Sequence, residues 1–318
     1  MTELFVSPSN LILTSATPLT RQPAAVYLSS LTAGSRRTMR KALNAIARIL
    51  TNGQGDALTL DWAALKYQHT AAIRAVLMEQ YAPATANRML CALRRTLKEA
   101  LRLELMSADD YARAVDISNI RGDSPQRGRI IKTSEIAELL KVCKDDSSPA
   151  GAKDAAVIAI LSGSGLRRSE LVDLEVQDFN RETGALIVRK GKGSKSRIVY
   201  LPQGAVAAVK DWLKVRGDAP GALICPIRRG GHIELRRMTD QSVMTMLLRR
   251  AKLASVAAFS PHDFRRTFIS NLLAAGADVL TTSRLAGHAD PATTQKYDLR
   301  GEEAKQQAVQ LLHIPYEP

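Results

Sequence analysis

The sequence predicts a mainly α-helical protein with a small antiparallel β-sheet, divided into a helical N-terminal domain and an α+β C-terminal domain. Three observations carry this prediction. The chain has 318 residues, more than a single hydrophobic core usually serves. Hydrophobic residues are 45% of it but aromatics only 4%, so the core rests on Leu, Ile, Val, Ala and Met, in Ala- and Leu-rich stretches that favour helix. In the second half, short strand-like runs separated by Gly-, Asn- and Ser-containing turns interrupt the helical patterning.

Residues 1–20 are rich in Ser, Thr and Pro without a clear period and read as a flexible lead-in to a helical domain over 21–120. A helix is expected from Ser35, with Met39, Leu43, Ile46 and Leu50 on one stripe, stopped by the two glycines of "TNGQGD". A second helix is expected over 84–105, with Leu90, Leu93, Leu97 and Leu101 inward. Arg88, Arg95 and Arg102 recur every seven residues on roughly the opposite side, with Lys98 beside them. That basic face suits either solvent or a phosphate backbone, and the sequence leaves the two open.

"IRGDSPQRGRIIKT" predicts a basic interdomain linker over 121–132, in which Arg129 is a candidate for DNA-backbone contact. The second domain, 133–318, starts with "TSEIAELL", where Thr133 or Ser134 is the expected N-cap. An apolar helix, "AKDAAVIAILSGSGL", follows. Strands are then expected around Glu175–Phe179, at "ALIVRK" and at "RIVYLP", forming an antiparallel meander. Everything after about 204 reads mainly as helix.

Lys and Arg number 45 against 31 acidic residues, giving +14 and favouring a polyanionic partner, nucleic acid first and an anionic membrane surface second. Residues 1–125 hold 15 basic and 10 acidic side chains (+5), leaving 30 and 21 (+9) for the rest, so both halves are basic. Cys91, Cys143 and Cys225 are scattered and odd in number, which argues against a disulfide framework or a CxxC metal pair and for a reducing compartment. No apolar run approaches the length that spans a bilayer.

Four patterns in the second half carry chemistry. In "SGSGLRRSEL", Arg167 and Glu170 are an i, i+3 pair after a Gly-rich turn. "RKGKGSKSR" puts Lys192 between two glycines of a hairpin turn. In "SPHDFRRTF", Ser260 caps a helix with Pro261 at its first position, and His262 and Arg265 share one face of the first turn. In "GHADPATTQKYDLR", Gly287 ends one helix, Asp290-Pro291 opens the next, and Tyr297 lies nearly two turns inside it. Each pattern alone also fits an ordinary capped helix or solvated turn.

In this order the elements resemble the tyrosine recombinase (phage integrase) family: Arg in "GLR", Lys in "GKG", His-x-x-Arg, "GH", and a tyrosine nine residues on. The resemblance covers about 133–312, and the first half is similar to that family's helical core-binding domain. It implies a site-specific recombinase that cuts and rejoins DNA through a 3′-phosphotyrosyl intermediate, with no cofactor, metal or ATP. Arg167 and Arg265 would clamp the scissile phosphate, and His262 and His288 would hydrogen-bond or manage a proton. Lys192 would protonate the leaving 5′ oxygen, Tyr297 would attack, and Glu170 would orient its neighbours. The implied partners are double-stranded DNA and, in the synaptic complex, a homo-tetramer. The tail "GEEAKQQAVQLL" would contact either a neighbouring subunit or its own domain. The implied setting is the bacterial or phage-infected cytoplasm, at the nucleoid. Lacking both an insertion before "GH" and an arm-type domain before residue 20, the chain resembles the compact Xer or simple-integrase type. A type IB topoisomerase and a non-catalytic DNA-binding protein are the rival readings.

Overall fold

A computed structural model describes residues 11–122, 128–189 and 196–298, with isolated positions 306, 309, 310, 312 and 315 beyond them. The chain divides into two compact units, Met1–Gln126 and Arg127–Pro318.

The first unit is a helical bundle of α1 (Pro23–Ser29), α2 (Ala33–Leu50), α3 (Tyr67–Gln80), α4 (Pro83–Arg102) and α5 (Ala108–Val115). Helix α4 is its axis: Leu90, Leu93 and Leu97 are fully buried, against Leu43 and Ile46 of α2 and Ile73 and Leu77 of α3 in one core. Periodicity predicted both long helices, because a helix that packs on one side must repeat its apolar residues every three or four positions. Residues 11–13 are not part of a loose lead-in. The amide of Leu13 donates to the Thr59 carbonyl and that of Asp61 to the Leu11 carbonyl, at 2.9 and 2.8 Å, and Leu11 is buried. Gln22 caps α1 through Oε1 and uses Nε2 to tie the 57–58 carbonyls, so one amide side chain satisfies both ends of the junction.

The second unit contains α6 (Thr133–Lys144), α7 (Pro149–Ser164), α8 (Arg168–Asp173), β1 (Ala185–Val188), β2 (Arg197–Tyr200), α9 (Gln203–Arg216), α10 (Asp240–Leu253), α11 (Pro261–Ala274), α12 (Val279–Ala286) and α13 (Ala292–Gln295). Helix α7 is apolar nearly all round because it is buried nearly all round, against α6, α9 and α11. Among the described residues the sheet has two antiparallel strands, in the register Leu186↔Val199 and Ile187↔Ile198. Leu186, Val188 and Val199 point into the core.

Three expectations change here. The stretch around Glu175–Phe179 is a 3-10 turn over Val176–Asp178 with single bridges to either side, because the Asp178 carboxylate accepts from the Glu175 amide at 2.9 Å and closes the turn. The N-cap of α6 is Lys132, one residue before the expected Thr133; its amide donates to Glu135 at 2.9 Å. Residues 217–239 are irregular rather than helical, with an isolated bridge between Ile227 and Ile233.

A buried ion cluster crosses this core. Asp154 on α7 is fully buried and accepts from Arg250 Nε at 2.8 Å and Arg249 Nη2 at 3.1 Å, while Arg250 Nη2 reaches Asp146 at 2.6 Å. Removing Asp154 would leave buried Arg250 with Asp146 alone and deprive buried Lys153 of the carboxylate 3.2 Å away, and breaking such a buried pair costs about 3–5 kcal/mol. Asp154→Ala is therefore expected to lower the unfolding free energy of the second unit by about 3 kcal/mol or more in urea titrations. The pair-replaced Asp154→Leu/Arg250→Met protein should recover most of that loss. A loss below about 1 kcal/mol for Asp154→Ala would contradict this role.

Candidate active site

The site is built where four chain segments of the second unit meet. The first is the turn after α7. Gly165 takes a left-handed conformation (φ 59°) that ends the helix, and a Cβ there would lie 2.4 Å from the Phe268 ring. Glycine meets both demands. The turn leaves the Gly165 carbonyl to accept from Arg265 Nη1 at 2.9 Å and puts Arg167 at the N-cap of α8.

The second segment is α11, which starts as the sequence predicts. Ser260 is the N-cap, Pro261 follows, and the Asp263 carboxylate accepts from the Ser260 amide at 2.7 Å. The first turn then aims Arg265 inward and His262 outward. Arg265 is 1% exposed, and its Nη2 has no hydrogen-bond partner among the described residues. Burial, followed by the charge of Arg167, lowers its pKa to about 10.

The third segment is β2, which supplies a residue that the motif reading missed. Arg197 grips Glu170 with both guanidinium ends, Nη1 to Oε1 at 3.0 Å and Nη2 to Oε2 at 2.8 Å. Glu170 also accepts from the Arg167 amide and from Arg167 Nη1, both at 2.9 Å. Burial alone would raise the Glu170 pKa, but the Arg197 and Arg167 contacts outweigh it and hold the carboxyl at about 2.

The fourth segment is the α12–α13 corner. Gly287 is left-handed (φ 68°) and closes α12, with the His288 amide bonded back to the Ser283 carbonyl at 3.0 Å. The Gly287 carbonyl accepts from Arg167 Nη2 at 3.3 Å. His288 Nδ1 lies 2.8 Å from the hydroxyl of fully buried Thr294. Its pKa falls to about 4, through burial first and then the charges of Arg265 and Arg167.

Tyr297 does not lie two turns inside a helix. Helix α13 ends at Gln295, and tight bonds from the Tyr297 amide to Thr294 and from Asp298 to Gln295 turn the chain immediately after it. Its hydroxyl is 3.3 Å from His262 Nε2. The ring lies between His288, stacked at 6.1 Å, and the Arg266 guanidinium at 5.3 Å, and rests on Ile269, Leu273 and Ala286. Ser270 Oγ holds its carbonyl at 3.0 Å. His262 is also held below its ordinary pKa, by burial and then by Arg265 and Arg266.

Five of the six predicted reactive side chains therefore converge: Arg167, His262, Arg265, His288 and Tyr297, with Glu170 behind them. Lys192 and most of the tail stretch lie outside the described residues. On α4, Arg88 and Arg95 are exposed, Lys98 is half-buried, and Arg102 is paired with Glu99 at 2.8 Å. Arg129 is committed within the second unit, to Glu135 at 2.6 Å and to the Ala257 and Ala258 carbonyls, so it is not a free backbone contact. A groove of about 650 Å³ opens beside Arg167, His262 and Arg265, lined also by Arg168, Gln241 and Met244.

Fixed guanidiniums and neutral imidazoles around a tyrosine hydroxyl suit one class of reaction, phosphoryl transfer to a tyrosine. Comparison with known proteins gives the same class. The model of the phage integrase family matches residues 129–301. Tyrosine recombinase XerD of Ralstonia nicotianae is 32% identical over 246 residues, covering 74% of this chain and 73% of that protein. Tyrosine recombinase XerC of Myxococcus xanthus is 31% identical over 240 residues, covering 71% and 76%. In fold, the chain is similar to the Tn1549 transposon integrase in complex with a circular intermediate DNA (TM-score 0.68, 18% identity, 94% and 100% covered). It is also similar to a lambda integrase dimer bound to a core site (TM-score 0.65, 16% identity, 89% and 95% covered). The chain belongs to the phage integrase family of tyrosine recombinases. It is a site-specific recombinase that breaks and rejoins DNA.

The pKa shifts predict how stability responds to pH. His288 titrates near 4 when folded against an ordinary 6.5, so the unfolded chain takes up the proton first. Its contribution is present above 6.5 and is lost as pH falls toward 4. Glu170, near 2 against 4.5, adds stability above 4.5 that is lost between 4.5 and 2. The melting temperature should therefore decline from pH 6.5 downward in differential scanning. His288→Phe should make the 6.5–4 limb shallower, leaving the share of His262 and His69, which are also held below 6.5, and should leave the lower limb; an unchanged upper limb would contradict the shift.

Proposed function

We propose that the residues gathered here carry out the strand transfer. The observation that carries the assignment is the buried Arg265, whose Nη2 has no partner among the described residues and which lines an open groove with Arg167 and His262. A buried cationic donor left unpaired is costly in the free protein, and a phosphate oxygen is the acceptor it best fits. Arg167 and Arg265 take the two non-bridging oxygens of the scissile phosphate and stabilise the charge that builds on them. Neutral His262 accepts the Tyr297 proton across the 3.3 Å contact as the phenol oxygen attacks phosphorus. The new bond joins Tyr297 Oη to the 3′ phosphate; the bond to the 5′ oxygen breaks, and Lys192 supplies that oxygen's proton. His288, tied at Nδ1 by Thr294, offers Nε2 to the phosphate. Rejoining reverses these steps with the 5′ hydroxyl of another strand, so the phosphodiester energy is kept and no nucleotide is consumed.

The finer assignments follow from the same reading. The enzyme acts on duplex target sites, where Arg88, Arg95, Lys98 and Arg102 of the first unit face the phosphate backbone. It works as a homo-tetramer at synapsis, with the C-terminal stretch as a subunit contact, on nucleoid DNA in the cytoplasm. The two domains take the roles of a DNA-clamping unit and a catalytic unit.

The test is a nicked suicide duplex carrying an inverted repeat from the DNA flanking the gene. A covalent protein–DNA adduct is expected in denaturing gels without metal or nucleotide. Tyr297→Phe should abolish it while retaining DNA binding, and Arg265→Lys should slow it by about 100-fold or more. An undiminished adduct in Tyr297→Phe would overturn the assignment.

A further inference from the structure

We propose that Arg197 is a positioning residue for strand transfer, locking Glu170 and the α12 corner together so that Arg167 and His288 address the same phosphate. This rests on the function proposed above and extends it to a residue outside the reactive set.

Each of the three guanidinium nitrogens of Arg197 donates one hydrogen bond. Two bonds go to Glu170 and Nε goes to the Leu285 carbonyl at 3.0 Å, leaving the side chain 11% exposed. Glu170 in turn holds Arg167 by its amide and its guanidinium, and Arg167 Nη2 reaches the Gly287 carbonyl. The contacts close a ring, Arg197–Glu170–Arg167–Gly287–Leu285–Arg197, through three segments far apart in sequence. Gly287 fits over this guanidinium closely: a Cβ there would sit 2.8 Å from Arg197 Cζ. His288 follows Gly287 directly, so the height of Arg197 under the corner sets where the imidazole stands.

Charge points the same way. If Glu170 faced Arg167 alone, one carboxylate would cancel one guanidinium and weaken its pull on a phosphate. Shared with Arg197, Glu170 leaves the trio with net positive charge while fixing Arg167 in place. Only a planar guanidinium can bind both carboxylate oxygens and a carbonyl from one position.

The experiment compares the full-length protein with Arg197→Met, Arg197→Lys and Arg197→Met/Glu170→Gln on the suicide duplex. It measures DNA affinity and, separately, the single-turnover adduct rate at saturating protein. Arg197→Met should keep Kd within about twofold and lose about 100-fold in rate. Arg197→Lys should lie between, because it keeps the charge without the bidentate geometry. The double variant should be no slower than Arg197→Met, since both act through one contact. The readout independent of activity is the His288 imidazole titration by NMR on histidine-labelled protein, with His288→Asn identifying the signal. It should move upward in Arg197→Met. A parental rate and titration, or a defect confined to Kd, would overturn the proposal. If Arg197→Met fails to fold, Arg197→Lys carries the same readouts. If the parent protein forms no adduct, the strand-transfer reading fails instead, and the His288 titration still decides whether Arg197 sets the corner.

Discussion

Three guanidiniums, Arg167, Arg197 and Arg265, are drawn into one small region, and like charges do not assemble unaided. The Glu170 carboxylate is what makes the assembly tolerable. It accepts two bonds from Arg197 and two from Arg167, and so remains ionised down to about pH 2. In a partly buried site, where Coulomb interactions are stronger than in water, such a shared anion both offsets the repulsion and fixes the geometry. Arg265 lies one step further in, hung from the Gly165 carbonyl and shielded from solvent. The rest of the second unit places these groups. The glycine turn after α7 sets Arg167 beside Arg265, the capped start of α11 aims Arg265 inward, and β2 presents Arg197.

Burial, and after it the same crowd of cations, sets the state of the histidines. His262 and His288 are both held below their ordinary pKa, so near neutral pH each ring is uncharged. An uncharged imidazole can accept a proton or share one, and its neutrality avoids adding positive charge to a crowded site. Thr294 engages His288 at Nδ1, and the stacking of His288 on Tyr297 brings the second imidazole against the same phenol ring.

Much of this was legible in the sequence. The one-sided apolar stripes of α2 and α4 and the Ser-Pro-His-Asp start of α11 are local signals, and local signals survive folding. The misses were non-local. Arg197 looked like one more basic residue beside a lysine-rich hairpin, because its partners, Glu170 and Leu285, are 27 and 88 residues away. Asp154 gave no hint of a buried pairing with Arg250, 96 residues on. Around Glu175–Phe179 the strand pattern was overruled by one side-chain cap from Asp178. The helix expected to carry Tyr297 stops at Gln295, because side chains from Ser270, Arg266 and His288 fix the tyrosine instead.

The central claim is that Tyr297 joins the 3′ end of a cut strand within this cradle. The most direct measurement is mass spectrometry of the trapped adduct after nuclease and trypsin digestion. Cleavage at Lys296 and Arg300 releases a four-residue peptide that begins at Tyr297. The expected result is a nucleotide joined through its 3′ phosphate to that tyrosine. A nucleotide on any other residue, or joined through its 5′ phosphate, would contradict it.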